Sequence, residues 1–128
     1  WQIWSSNRIG DGLMGIGSLL SIWLAMRIAA ATRNSDETNL FSQIVSSLFG
    51  LIVLASTWMQ YTFVGNNWVA ASRALNEIKA SGGEISGTAE NYIALVGTES
   101  IGQPMPLGIG FIVIAGVIIL AQIWMPKK

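Results

Sequence analysis

The side chains that could carry chemistry in this chain are few, and most of them are acidic. Glu84 and Glu90 lie in a stretch rich in glycine and serine, Asp36 and Glu37 are adjacent in a polar turn, and Arg27 sits within a largely apolar run. A carboxylate pair can act as acid and base in glycosyl transfer, provided that its surroundings push the two pKa values apart. Nothing beside Glu84 or Glu90 in the sequence would do this. Asp36 and Glu37 read more simply as the acidic approach to a helix, where the helix dipole favours negative charge. The chain has no cysteine and no histidine, which removes disulfides, thiolate nucleophiles, imidazole bases and the commonest zinc ligands. A serine nucleophile would need a lysine partner, and no such arrangement stands out. Gly12, Gly15 and Gly17 lie in a membrane-like segment, where glycine serves packing and not phosphate binding. The expectation is therefore a protein that is not an enzyme, with no catalytic, cofactor-binding or metal site.

The elements that carry these residues are read from hydropathy. Of 128 residues, 52% are hydrophobic and only 11% charged, against roughly a quarter charged in soluble domains. The apolar residues gather in three blocks, and a bilayer-crossing helix needs about 20 such residues. The reading is all-α: one integral membrane domain over residues 1–128, with spans at about 12–32, 39–64 and 107–125. An extra-cytoplasmic helical segment, 65–106, separates the second and third spans. Formal net charge is zero, which gives no field for nucleic acid.

Small residues recur every four positions in two spans: Gly17, Ser21, Ala25 and Ala29 in the first, and Ser42, Ser46 and Gly50 in the second. Such ridges let helix backbones approach closely in lipid, and the pair suits a tight antiparallel hairpin. Trp58 and Tyr61 resemble an interfacial belt, as do Trp1 and Trp4 in the leading segment 1–11. Residues 68–79 form an amphipathic stretch with Arg73 and Glu77 spaced as an i,i+4 ion pair. Whether this stretch extends the second span or folds back is left open. A shorter helix is expected over Thr88–Val96 with Thr88 as its cap, and Gly102, Pro104 and Pro106 break the chain before the third span.

Charge places the ends. Arg27 and Arg33 flank the first loop and Lys127–Lys128 end the chain, so loop and C-terminus are expected in the cytoplasm. The N-terminus and 65–106, with Arg73 and Lys79 against Glu77, Glu84, Glu90 and Glu99, are then outside. Trp1 in place of Met is consistent with removal of a signal peptide, which would give the same orientation. Arg27 inside a span is costly unless it reaches the interface or a partner, so Arg27 and Arg33 are candidates for contact with lipid headgroups or a neighbouring subunit.

A signal-processed small protein with two Gly/Ala-rich helices and a short basic loop resembles the major pilins of conjugative type IV secretion pili. The resemblance is one of architecture over about Gly12–Val64. It implies a subunit stored as a helical hairpin in the inner membrane and extracted into a filament together with phospholipid, the loop with Arg27 and Arg33 lining the lumen. The implied partners are copies of the chain and membrane lipid, with bound phospholipid the one ligand. The third span and the long outer segment depart from that pattern. Two other readings fit the residues: a small accessory subunit of a larger membrane complex, and a pore-former resembling phage holins.

Overall fold

A computed structural model describes residues 2–127; Trp1 and Lys128, which enter the expectations about the N-terminus and the basic tail, lie outside the described residues. Four helices follow one another: α1 Gln2–Asn34, α2 Leu40–Ala80, α3 Gly87–Val96 and α4 Pro106–Trp124. No strand occurs among the described residues. Three of these helices, α1, α2 and α4, are long and apolar enough to cross a membrane, with mean hydropathy of 1.7, 1.8 and 2.4 over their most apolar stretches.

At 1.5 Å per residue, the 33, 41 and 19 residues of α1, α2 and α4 span about 50, 62 and 29 Å. Only α4 matches a hydrocarbon layer of about 30 Å, so α1 and α2 overshoot it. Both overshoot at the same end, because they run antiparallel. Thr32 bonds Ser46 near the connecting loop, Ser18 bonds Gln60 midway, and Asn67 bonds Asp11 beyond the level of α4. Helix α4 also runs antiparallel to α2, with Gln43 against Ile123 at one end and Gly108 against Tyr61 at the other. The result is a three-helix bundle topped by a cap built from the start of α1, the end of α2, and α3.

Local chemistry fixes the helix ends. Asn39 caps α2 reciprocally: its side chain accepts from the Ser42 amide at 2.9 Å, and Ser42 Oγ accepts from the Asn39 amide at 3.1 Å. Helix α2 stops where Gly82 turns to φ 88°, its N–H bonding Lys79 O while Gly83 N–H bonds Ile78 O. That double closure is the Schellman ending, which needs the left-handed conformation glycine adopts freely. The short helix starts one residue before the Thr88 expectation, at Gly87, because Ser86 and not Thr88 supplies the capping oxygen, accepting from the Ala89 amide. Pro106 opens α4 at the position where a missing N–H costs nothing.

The leading segment 1–11 is not separate from the first span; from Gln2 onward it is its first three turns. Residues 68–79 likewise continue α2 without a break.

Candidate functional site

The core of the bundle is where α4 meets the two longer helices. Ala25 and Ala29, at 2% and 0% exposure, cluster with Ile119 and Ile123 of α4. Gly50 faces the same Ile119: a Cβ there would stand 2.8 Å from Ile119 Cγ2. The two small-residue stripes thus receive α4 between them, and Ile119 is the side chain both accommodate. Ser46 is buried and bonds Thr32 on α1, while Ser42 serves the cap of its own helix. Ser21 is half-buried and donates to Gly17 O at 2.8 Å; Gly17 is exposed, with no atom within 4 Å of where its Cβ would be. Trp58 and Tyr61 pack against the core, Tyr61 stacking on Phe111 at 6.5 Å.

Arg27 and Arg33 lie toward the loop end but in different settings. Arg27 is exposed, its guanidinium over the Trp23 ring at 5.8 Å, one turn back along α1. Arg33 reaches across to the C-terminal segment and donates to Pro126 O at 3.4 Å. Lys127 completes this link, 3.7 Å from Asp36 and donating to Ser35 O. The first loop and the end of the chain are therefore adjacent, and their basic groups share one end of the bundle.

At that bundle's side, α1 and α2 diverge to leave a groove of about 340 Å³. Gly17, Ser18 and Ser21 form one wall and Ser56, Thr57 and Gln60 the other, with the Ser18–Gln60 hydrogen bond joining them. Thr57 is buried and turns its hydroxyl to Val53 O.

The cap holds a polar cluster that the sequence reading did not single out. Arg8 lies over Trp68 at 4.7 Å and Trp4 at 5.9 Å, with Asp11 Oδ2 at 3.8 Å. Asn67 donates to both Asp11 oxygens at 3.2 Å, and the Tyr92 hydroxyl of α3 donates to Trp68 O at 3.1 Å. Burial raises the Tyr92 pKa, and the nearby Arg8 charge partly offsets this. Arg73, expected to pair with Glu77, instead donates to Thr98 O at 3.0 and 3.2 Å, and Lys79 pairs with Glu90 of α3 at 2.9 Å. The one available signal for the cluster was Trp4, Arg8 and Asp11 at helical spacing within the leading segment. Beside it lies a cavity of about 710 Å³ between α1, α2 and α3.

Among the described residues, no three acidic side chains gather in a group that could hold a metal ion. Comparison with known protein families, with curated proteins and with solved structures finds no match to this chain.

Proposed function

We propose that this chain is a structural, non-catalytic subunit that self-associates within a membrane, through the groove between α1 and α2. The observation that carries this reading is the open face of α1 at Gly17 and Ser21, which borders the groove. Gly17 has no atom within 4 Å of where a Cβ would be. A glycine costs a helix about 1 kcal/mol relative to alanine, and among the described residues no contact uses the close approach that Gly17 permits. A neighbouring helix lying along Gly17 and Ser21 would use it, and would meet hydroxyls at Ser18, Ser21 and Ser56 where interhelical hydrogen bonds are favoured in lipid.

In this arrangement the loop end, with Arg27, Arg33 and Lys127, faces the cytoplasm, and the cap faces outward, in keeping with the positive-inside rule. Arg27, exposed beside Trp23, meets lipid headgroups or a neighbour's carboxylate there. The most specific form of the proposal is a filament subunit of the pilin kind, stored in an inner membrane and assembled with phospholipid.

Because the chain has no cysteine, single-cysteine crosslinking is a clean test. Gly17→Cys, Ser21→Cys or Ser56→Cys, oxidised in native membranes, is expected to give disulfide-linked homodimers, whereas Ile114→Cys on the exposed side of α4 is not. Crosslinks to dissimilar proteins alone would favour the accessory-subunit reading, and no crosslink at any groove position would count against association here. Electron microscopy of a sheared extracellular fraction tests the filament form.

A further inference from the structure

The gap between α2 and α3 follows from the residues that face it. Ala71, Ala74, Leu75 and Ile78 lie at i, i+3, i+4 and i+7, one face of α2, and Ala89 of α3 lines the same space. The alanines are too small to fill it. Two longer contacts hold the helices apart: the Tyr92 hydroxyl donates to Trp68 O at 3.1 Å, and Lys79 pairs with Glu90 at 2.9 Å. What remains is the cap cavity of about 710 Å³, within the range of about 300–1,000 Å³ usual for small-molecule sites.

Its lining is sorted along its length. At one end stand two aromatic rings, Tyr92, tied to Trp68 by its hydroxyl, and Trp4, which shares the Arg8 guanidinium with Trp68. The floor then follows α2 from Ala71 to Ile78, a length of about 10 Å. At the other end the chain folds back onto Ile78, where Gly83 N–H bonds Ile78 O at 3.0 Å, and the turn brings Glu84, Ser86 and Thr88 to the lining. Among the described lining residues only Glu84 is charged, and it forms no ion pair. Ser86 Oγ accepts from the Ala89 amide and keeps a second lone pair.

The cavity stands clear of the stretch that α4 spans. Ala71 lies about 15 Å further along α2 than Tyr61, which meets Gly108 at the start of α4. Ala74, Ile78, Glu84, Ser86 and Thr88 are exposed, so the site opens to water.

We propose that this cavity binds a hydrophobic primary amine from the aqueous side, its apolar body on the α2 floor between Trp4 and Tyr92 and its ammonium at the end with Glu84, Ser86 and Thr88. An ammonium has three donors and no acceptor, and these three side chains all present acceptor oxygens. The basic side chains nearby are engaged elsewhere, Lys79 with Glu90 and Arg8 over the rings of Trp4 and Trp68. An anionic ligand would meet Glu84 as a like charge.

The probe is dansylcadaverine, a primary amine joined by a short alkyl chain to a fluorescent naphthalene, added to the full chain in non-ionic detergent at pH 7. Energy transfer from tryptophan to the dansyl group should rise saturably. The dansylamide of pentylamine, which lacks only the amine, should bind about two- to fivefold more weakly, the range for an exposed ion pair. Glu84→Gln should remove that difference, and Ala74→Leu, which fills the floor, should remove saturable binding of both probes. Octylamine should displace the probe and octanoate should not. Circular dichroism reports whether each variant keeps its helices; if Ala74→Leu does not, Glu84→Gln decides, since that carboxylate pairs with nothing in the fold. Equal binding of the two probes, displacement by octanoate as effective as by octylamine, or transfer unchanged in the variants that remain folded would overturn the proposal.

Discussion

Replacing Gly50 by alanine asks whether the close packing of α2 on α4 is a structural requirement. The added methyl would stand 2.8 Å from Ile119 Cγ2, closer than two methyl carbons can sit. Ile119 has 1% exposure and cannot move aside into space. Its Cγ2 is bound directly to Cβ, and β-branched side chains in helices have one strongly preferred rotamer, so relief requires the helices to part. Overpacking of this kind costs about 1–3 kcal/mol, and alanine returns up to about 1 kcal/mol of helix propensity. The net is a loss of about 1 kcal/mol. Ile119→Ala removes the opposing methyl, so the double variant should recover part of the loss, with a coupling of about 1 kcal/mol. Gly17→Ala is the control: with no atom within 4 Å, it should leave the monomer as stable or slightly more so. Reversible unfolding in mixed micelles, followed by circular dichroism, measures all four. Gly50→Ala at least as stable as the parent, or strict additivity with Ile119→Ala, would refute the packing argument.

Other outcomes follow from the same geometry. Asn39→Ala removes the α2 cap and its reciprocal bond with Ser42, and should cost about 1 kcal/mol in the same unfolding assay. Tyr92 should ionise above its ordinary value of 10.0, read from phenolate absorbance with Tyr92→Phe as reference. A folded-state pKa raised above the unfolded one gives stability that is full below about pH 10 and lost as pH rises through the folded pKa. The parent cap should therefore loosen in alkali through this group, and the Tyr92→Phe variant should lack that component; identical alkaline profiles would exclude it. Glu37→Cys and Asn91→Cys should be labelled by an impermeant maleimide from opposite sides of sealed vesicles, whereas labelling from one side would contradict the topology.

Much of the bundle is legible in residue type. The third span was expected at 107–125 and α4 covers Pro106–Trp124, because an uninterrupted apolar run bounded by prolines leaves little choice. Helix α2 runs further than its apolar block, and the sequence left that continuation open because Gly65, Asn66 and Asn67 are residue types common in turns. Gly65 packs beneath Ile101, the Asn66 side chain bonds both the N–H and the carbonyl of Ile101, and Asn67 bonds Asp11. Glycine and asparagine signal turns because they bend freely or bond their own backbone. Here the asparagines spend their polar atoms on distant partners, so the helix continues. The Asn67 bond to Asp11 ties the leading part of α1 to the far end of α2. The cap cluster stayed hidden for this reason: its members come from three helices, and hydropathy carries no trace of their meeting. The small-residue stripes were visible as patterns, but a periodicity does not name its partner. It took the position of α4 to show Ala25, Ala29 and Gly50 around Ile119, with Gly17 left facing outward.

The central claim, that the chain works by associating with copies of itself, is most directly tested by native mass spectrometry of the protein extracted from its own membranes in polymer-bounded lipid discs. The expected result is a homo-oligomer that Gly17→Leu shifts toward the monomer while leaving its unfolding unchanged. A monomer throughout, or a complex holding a single copy among unlike subunits, would contradict it.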